Sequence, residues 1–293
     1  MDIFAFLAER MSGLVLGREF SFAENTTIGC GGIAEVVAYP RDGNETAKLL
    51  SLVKSSGIPH CFLGAGANVL PSDERFEGVV VRFSRMRTLF SDADLLYAGA
   101  GVTGAALLAH AEKCALSGFE PFAGIPMTVG GGTVMNAGIS ERHFSDLVIE
   151  VEGVENGALR RFSAKECRFG EKESIFQTGI AVTGVRFRAV FSAPERIAEI
   201  TRRFRARRRK LPKGRSMGCT FVNPEGDSAG RLIDECGLKG LRVGGAHISD
   251  LHANFILNDG GSASDVSKLI DRVREEVYRQ TGILLREEIR RIP

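Results

Sequence analysis

The spacing of hydrophobic and polar residues along the chain predicts an alternation of helices and strands. The clearest helical pattern runs from Val266 to Val277, where apolar residues recur every three or four positions. Ser262 and Asp265 precede it in the order of a capping box, which indicates where the helix starts. We therefore predict a long amphipathic helix near the end of the chain.

A β-α-β unit is predicted in the first third of the chain. Glu35–Tyr39 is a short β-rich run, and Asn44 then stands where it could cap a helix that Gly57 ends. The apolar run Ile58–Leu63 reads as the next strand, and Val79–Phe83 reads as another. The unit ends at a glycine-rich turn.

The middle of the chain contains one further helix and two strands. Thr103 is expected to cap an alanine-rich helix from Gly104 to Ser117, which Gly118 ends. Residues 147–153 and 180–190 alternate apolar and polar side chains and read as strands. No internal repeat or low-complexity segment interrupts this order.

The composition is that of a soluble globular protein. The chain has 293 residues, with 44% hydrophobic residues, 25% charged residues and a net charge of +2. This length predicts about two domains, and the charge balance gives no case for nucleic acid or a membrane. Met1–Arg10 has an acid at position 2 and charges at 9 and 10, which predicts a short amphipathic helix of a cytoplasmic protein rather than a signal peptide.

Two glycine-rich segments are candidate ligand sites. Gly124–Gly132 contains three consecutive glycines and is followed by Met135–Gly138, while Leu63–Leu70 follows the predicted strand. Such loops are free to adopt positive φ, offer backbone amides and let a large ligand approach closely. Each alone is as common in plain loops as in ligand sites, but together they could hold one extended cofactor.

A basic run at Arg202–Arg215, with nine Lys or Arg residues among fourteen, is expected to begin a second domain. Its simplest interpretation is a solvated helix face. A diphosphate-bearing substrate is the next, because Arg forks match phosphate geometry. Nucleic acid is the weakest, because only Phe204 interleaves an aromatic ring.

The single residues that could carry chemistry are weak signals by themselves. The six cysteines contain no C-x-x-C pair, which suits reduced thiols better than disulfides or zinc. Cys219 reads more readily as a buried thiol, although a thiol is a far better proton donor than a serine hydroxyl. Lys172 and Glu288 alone are typical of a solvated surface. His247 and His252 are five residues apart, so we predict no metal site.

The ordered set of motifs nevertheless resembles one family, the UDP-N-acetylenolpyruvoylglucosamine reductases of bacterial peptidoglycan synthesis, in its compact second type. The resemblance runs from about residue 20 to the C-terminus. It rests on Asn25–Ile28 with Gly31 and Gly32, Leu63–Asn68 with Ser72 and Asp73, Ala123–Pro126 with Val129–Gly131, Met135–Gly138, Ser216–Cys219 with Phe221, Asn223 and Pro224, Ala229–Ile233, Gly237–Gly240, His252–Ile256 and Glu288–Arg290.

The resemblance implies an α+β fold with an FAD-binding domain of the vanillyl-alcohol-oxidase/PCMH type. Its two α+β subdomains are expected at 1–85 and 86–195, and a C-terminal α+β substrate-binding domain at 196–293. FAD is the implied cofactor and NADPH the implied hydride donor. The backbone amides of the two glycine-rich turns would hold the FAD pyrophosphate, with Asn68, Ser72, Thr128 and Asn136 contributing side chains. The implied FAD-binding residues are Gly64, Ala65, Gly66, Ala67, Asn68, Val69, Ser72, Gly124, Pro126, Thr128, Val129, Gly131, Gly132, Asn136 and Gly138.

The implied reaction is reduction of the enolpyruvyl double bond of a UDP-sugar, with hydride passed from NADPH through the flavin. Matched to the family motifs, Lys172 and Glu288 assist the developing enolate and Cys219 delivers the final proton. The implied substrate-binding residues are Arg209, Lys210, Asn223, Arg231 and His252. We expect a monomer whose partners are small molecules, with no nucleic acid and no membrane.

Four departures from the family pattern lie on the substrate side. Glu171 and Lys172 replace a Tyr-Arg pair, Val222 replaces a lysine, Gly29 replaces a basic residue, and the tract from Pro212 to Cys219 is one residue short. Lysine keeps the charge of arginine but loses its planar fork. The alternatives are a catalytically decayed FAD-bound UDP-sugar sensor, or another oxidoreductase of the same FAD fold.

Overall fold

The structure is a computed structural model that describes residues 1–293. The helices are α1 (Ile3–Arg10), α2 (Phe22–Asn25), α3 (Gly43–Ser55), α4 (Gly104–Lys113), α5 (Val129–Val134), α6 (Pro194–Arg208), α7 (Ala229–Glu235) and α8 (Ala263–Thr281). The strands are β1 (Val15–Ser21), β2 (Ile33–Tyr39), β3 (His60–Phe62), β4 (Val69–Pro71), β5 (Phe76–Val81), β6 (Leu89–Asp92), β7 (Leu95–Gly99), β8 (Leu116–Ser117), β9 (Gly138–Ile139), β10 (Arg142–His143), β11 (Val148–Glu155), β12 (Ala158–Ser163), β13 (Ala181–Arg188), β14 (Val190–Phe191), β15 (Ser216–Cys219), β16 (Arg242–Val243), β17 (Ala246–Ile248), β18 (Phe255–Asn258) and β19 (Arg290–Ile292). Short 3₁₀ helices lie at Glu120–Phe122, Phe144–Asp146 and Ile175–Thr178.

Side-chain caps set the starts of the main helices. Ser262 and Asp265 form the predicted capping box of α8, and Thr103 caps α4 as predicted. The prediction that Asn44 caps α3 is wrong, because Asn44 lies in the first turn and the Asp42 carboxylate accepts the Glu45 amide at 2.8 Å. An acidic oxygen at this position satisfies an amide that has no partner within the helix.

The predicted end of α4 is also wrong. The helix stops at Lys113, and Ala115 takes a left-handed φ of 55°. Leu116 and Ser117 then form β8, which pairs antiparallel with β14. Leu116 is buried although it lies outside the helix, because it belongs to β8. The apolar pattern therefore extends past the end of α4. The predicted strands at 35–39, 58–63, 79–83, 147–153 and 180–190 are confirmed within a few residues.

The chain folds into two compact units, each assembled from several stretches of sequence. The first unit comprises residues 1–18, 36–65 and 78–209. Its largest sheet is antiparallel, with strand order β12-β11-β13-β7-β6. An apolar core that includes Phe119, Phe144, Phe162 and Phe187 fills this part of the unit, and α5 packs against β13. A second core gathers α1, α3 and the strands at 36–38 and 79–81.

The second unit comprises residues 19–35, 66–77 and 210–293. Its antiparallel sheet has strand order β15-β18-β17-β16, and β19 pairs in parallel with β4. The apolar face of α8 packs into the core of this unit, as its periodicity predicts, with Val266, Ile270 and Val277 fully buried. The subdomain boundaries at 85 and 195 stay a prediction.

None of the helices combines the length and the apolar composition that crossing a membrane requires. No disulfide joins any of the six cysteines. Burial raises the pKa of Cys61 to about 12, that of Cys167 to about 12 and that of Cys30 to about 11. These three thiols are therefore protonated at neutral pH.

Candidate functional site

The three consecutive glycines of the segment Gly124–Gly132 lie in a helix, which corrects the prediction of an open loop with positive φ at these residues. Val129–Val134 forms α5, and Thr128 caps it by accepting the Gly131 amide at 3.3 Å. Only Gly124, ahead of the helix, has a positive φ, of 79°. The three helical glycines are therefore not explained by unusual backbone angles.

The three consecutive glycines have different surroundings. A Cβ on Gly130 would lie 3.0 Å from Ala100 Cβ, and one on Gly132 would lie 3.1 Å from the Phe144 ring. Both are buried, whereas Gly131 is half-buried and its nearest neighbour would be Thr128 Oγ1 at 3.4 Å. Packing thus leaves little room for a side chain at Gly130 and Gly132, whereas Gly131 is the one of the three with space beside it.

The first glycine-rich segment meets the second at Gly64. A Cβ on Gly64 would lie 2.7 Å from Thr128 Oγ1 and 3.7 Å from the Gly131 Cα. The Gly64 carbonyl accepts a hydrogen bond from the Arg82 guanidinium at 3.3 Å. The backbone at Gly64 therefore packs against the cap of α5, with the Thr128 hydroxyl as the side-chain group beside both glycines. This glycine-lined surface fits the pyrophosphate of FAD because backbone amides can approach it.

From Gly66 onward the first segment lies in the second unit, where close backbone contacts and side-chain hydrogen bonds hold it. Gly66 has a φ of 68°, and a Cβ there would lie 2.4 Å from the Asn25 carbonyl oxygen. Asn68 Nδ2 donates to the Glu288 carbonyl at 3.2 Å. The Ser72 hydroxyl accepts the Glu74 amide at 3.1 Å. Ala67 is half-buried beside these residues, and Val69 begins β4.

Asn136 is engaged by two backbone segments. It is 4% exposed and has a φ of 42°. Its Nδ2 donates to the Gly170 carbonyl and its Oδ1 accepts the Ser145 amide, each at 2.9 Å. Gly138 starts β9, where a Cβ would lie 2.4 Å from the Arg142 carbonyl oxygen. The structure thus shows a bracing contact for Asn136 that the sequence did not reveal.

Lys172 lies at the tip of a tight turn. Gly170 and Glu173 exchange backbone hydrogen bonds on either side of it, at 3.0 and 3.3 Å. Lys172 has a φ of 58°, and its carbonyl accepts Gln177 Nε2 at 2.7 Å. Nothing in the sequence marks Gln177, because its partners lie both within this turn and at the end of α5.

Cys219 and Glu288 lie on neighbouring segments of the second unit. The Glu288 amide donates to the carbonyl of Thr220, the residue after Cys219, at 2.8 Å. Two hydrogen bonds with Asn254 hold Phe221, the residue after Thr220. Asn254 Oδ1 accepts the Phe221 amide at 2.9 Å, and Asn254 Nδ2 donates to the Phe221 carbonyl at 2.8 Å. Asn254 is a buried amide side chain within the His252–Ile256 motif, and the sequence assigned no role to it.

The predicted substrate-binding residues have varied surroundings. Arg209 and Lys210 are exposed. Asn223 Oδ1 accepts the Ala229 amide at 3.1 Å, ahead of α7. Arg231 forms ion pairs with Asp227 and Glu235.

His252 is half-buried, with its ring centre 5.0 Å from that of Phe255. Burial lowers its pKa, and the positive charge of Lys239 lowers it further. The imidazole is therefore held in its neutral form. Its Nδ1 accepts the Asn254 amide at 3.3 Å.

The basic run is divided between a helix and a loop. Its first half forms the exposed face of α6, whose buried side includes Ile197 and Phe204. Arg215 crosses Gly29, where an added Cβ would lie 2.5 Å from Arg215 Cδ. Residue 29 has no basic side chain of its own, but the side chain of Arg215 lies directly beside it.

Comparison with known proteins agrees with this architecture. Residues 34–162 match the family model described as FAD binding domain. A Phl p 4 glucose oxidase variant shares the fold with a TM-score of 0.53 at 16% identity, covering 66% of this chain and 45% of that one. The fold and the glycine-lined surface therefore define an FAD-binding oxidoreductase with an α+β, PCMH-type domain, and the predicted fold class is confirmed.

The C-terminal part of the chain identifies the family within this class of oxidoreductases. Residues 209–292 match the model of the UDP-N-acetylenolpyruvoylglucosamine reductase C-terminal domain. The reductase of that name from Moorella thermoacetica is 39% identical, covering 99% of this chain and 98% of the relative. The reductase of the same name from Thermus thermophilus is 41% identical, covering 86% of this chain and 92% of the relative. The crystal structure of the Thermus caldophilus reductase superposes with a TM-score of 0.84 at 35% identity, covering 96% of this chain and all of that one. The chain belongs to the UDP-N-acetylenolpyruvoylglucosamine reductase family.

Proposed function

We propose that this chain is an FAD-containing, NADPH-dependent reductase that converts UDP-N-acetylglucosamine enolpyruvate to UDP-N-acetylmuramate for peptidoglycan synthesis. Family membership supports the activity. The observation that carries the assignment of residues is the bond between the Glu288 amide and the Thr220 carbonyl, which holds a carboxylate and a thiol on adjacent segments.

The glycine-lined surface at Gly64 and Gly131 is proposed to hold the FAD pyrophosphate, together with the other predicted cofactor residues. When bound, FAD supplies the hydride relay between NADPH and the alkene. The chain itself must bind the cofactor, orient the alkene and stabilise the charge that develops next to the carboxylate. Gly131 serves this purpose because it has no side chain that would block the approach of a phosphate, and Gly64 because it leaves room for the Thr128 hydroxyl at the cap of α5.

Lys172, Glu288 and Cys219 are proposed to complete the substrate side. The positive charge of Lys172 stabilises the developing enolate, with Glu288 assisting, and the Cys219 thiol donates the proton to the carbon next to the carboxylate. Arg209, Lys210, Asn223, Arg231 and His252 are proposed to bind the substrate. Arg231 is already paired with two carboxylates, so its contribution would require those ion pairs to rearrange.

The location, oligomeric state and domain organisation of the enzyme are part of the same proposal. We expect a cytoplasmic monomer with no nucleic-acid partner, organised in the three regions 1–85, 86–195 and 196–293. The exposed arginines of α6 are interpreted as a solvated face, because its opposite face is buried in the first unit. Salt-sensitive binding of generic DNA through Arg202–Arg215 would contradict this interpretation.

An anaerobic titration tests the activity. NADPH is added to the purified protein while flavin absorbance is recorded, and the enolpyruvyl UDP-sugar is then added. Bleaching followed by stoichiometric recovery is expected, and it would show that Lys172 serves where the family pattern has arginine. Bleaching without recovery would contradict the proposed substrate, and rapid reoxidation by oxygen would indicate an oxidase instead.

A second candidate is an FAD-bound UDP-sugar sensor that has lost turnover. The observation that favours it is the loss of one basic group and of one guanidinium fork of the family pattern. Val222, which is only 7% exposed, replaces a lysine, and Lys172 replaces an arginine. Comparing turnover of the wild type with Lys172→Arg separates the two candidates. Near-normal wild-type turnover excludes the sensor, whereas turnover that appears only in the variant supports it.

A further inference from the structure

The turn that carries Lys172 has a backbone conformation that a lysine adopts reluctantly. Glu171 and Lys172 form its tip, between the paired residues Gly170 and Glu173. A φ of 58° at Lys172 lies in the left-handed region, where a Cβ crowds the backbone. Such conformations persist where surrounding contacts hold them, and they concentrate at functional sites.

Gln177 is the side chain that supplies such a contact. Its Nε2 donates to the Lys172 carbonyl at 2.7 Å and lies 3.3 Å from the Val134 carbonyl and 3.7 Å from Met135 Sδ. The Ser174 hydroxyl donates to the same Val134 carbonyl at 2.7 Å. The Lys172 turn is therefore tied to the last turn of α5, the helix that carries Gly131.

We propose that Gln177 is a positioning residue, which holds Lys172 in its left-handed turn and thereby fixes the direction in which the ammonium group leaves the backbone. This inference rests on the proposed role of Lys172. An ammonium on a flexible four-carbon stem has no planar fork to orient it, so the root of the side chain must be fixed instead. Gln177 fixes that root through the backbone carbonyl, without contact with the ammonium being required.

The Gln177→Glu substitution tests the proposal, because it keeps the size of the side chain and removes both Nε2 donors. Gln177→Met, which keeps the length without a charge, replaces it if the glutamate variant does not fold. Thr178→Ala is the matched control, since its hydroxyl bonds only within the same short helix, to the Ile175 carbonyl at 2.7 Å.

Flavin reduction by NADPH and flavin reoxidation by the enolpyruvyl UDP-sugar are measured separately in rapid-mixing experiments. Reoxidation at saturating substrate is expected to slow about tenfold or more in Gln177→Glu, because a small misplacement of a charged group is costly. Reduction by NADPH is expected to be unchanged, and Thr178→Ala is expected to match the wild type in both steps.

A double-mutant comparison separates positioning from general destabilisation. In a Lys172→Ala background, Gln177→Glu is expected to cause no further slowing, because the group that it positions is absent. An equal slowing in both backgrounds would overturn the proposal. So would wild-type reoxidation in both Gln177→Glu and Gln177→Met.

Hydrogen exchange of the FAD-loaded protein gives a readout that does not depend on activity. The Glu173 amide, which bonds to the Gly170 carbonyl, is expected to lose protection in Gln177→Glu, while amides of β13 keep theirs. Unchanged protection at Glu173 would overturn the proposal that Gln177 holds the Lys172 turn. If the wild type itself is not reoxidised by the substrate, the proposed function fails, but the exchange result still decides whether Gln177 holds the turn.

Discussion

Asn68 and Glu288 are joined by a hydrogen bond from Asn68 Nδ2 to the Glu288 carbonyl, 3.2 Å long and spanning 220 residues of sequence. The Arg290 amide returns a bond to the Asn68 carbonyl at 2.9 Å. From there β4 and β19 continue side by side, with Val69 opposite Arg290. A residue of the first glycine segment thus braces the backbone of the proposed catalytic carboxylate.

Asn68→Asp is expected to weaken this brace. The aspartate has the same shape but no donor, and it turns an oxygen toward the Glu288 carbonyl. We expect the free energy of unfolding to fall by about 1–3 kcal/mol. Urea unfolding of the apoprotein measures this loss without a contribution from FAD. The same change at exposed Asn44 is the control, expected within about 0.5 kcal/mol of the wild type; equal effects at the two positions would show that the bond adds no stability.

Cys219→Ala is expected to stop proton delivery to the substrate without affecting hydride transfer from NADPH to the flavin. Substrate-dependent flavin reoxidation should slow by about 100-fold or more, with reduction by NADPH unchanged. Cys219→Ser should recover part of the rate, because a hydroxyl is a weaker acid than a thiol but occupies the same place. Cys236→Ala, at a half-buried thiol on the carboxyl end of α7, serves as the control. Unimpaired reoxidation in Cys219→Ala would remove Cys219 from this role.

Alanine substitutions along α5 are expected to separate packing from cofactor binding. Gly130→Ala places a Cβ 3.0 Å from that of Ala100 and should destabilise the apoprotein by about 1–3 kcal/mol. Gly131→Ala has room, and it should gain up to about 1 kcal/mol from helix propensity while weakening FAD binding. Urea unfolding and the fluorescence of released FAD measure the two effects. Wild-type FAD affinity in Gly131→Ala would show that the cofactor does not approach this face.

The stability of the protein is expected to fall in mild acid partly through His252. Burial lowers the pKa of His252 in the folded state, so below about pH 6.5 the unfolded chain binds more protons than the folded one. The contribution of neutral His252 to the free energy of unfolding is therefore complete above about pH 6.5. It is lost as the pH falls toward the pKa of His252 in the folded state. Urea midpoints measured from about pH 7.5 down to 5.5 should decline less steeply in His252→Asn. His60, whose pKa burial also lowers, should keep part of the decline; an unchanged slope would contradict the assignment to His252.

Features that depend on neighbouring residues can be predicted from the sequence. The capping box of α8 and its buried face follow from side chains three and four positions apart. The predicted cap of α3 is misplaced by two residues because Asp42 and Asn44 have equally suitable side chains, and only the backbone shows which one precedes the first turn. The motif order likewise identifies the family, which the comparisons confirm.

The glycine helix could not be predicted in this way. Three consecutive glycines disfavour a helix by intrinsic propensity. The helix forms where Gly130 and Gly132 pack closely against Ala100 and Phe144, at distances that leave little room for a Cβ. Tertiary packing therefore overrides local preference at α5.

The contacts that arrange the candidate site are also tertiary. Asn68 meets Glu288 across 220 residues, and Gln177 reaches Val134 across 43. Periodicity and capping carry information over only a few positions, because they follow from the repeat of a single helix or strand. The sequence motifs indicate which residues the chain contributes to its chemistry. How their backbones are held is decided only when the folded chain brings distant donors and acceptors within hydrogen-bonding distance.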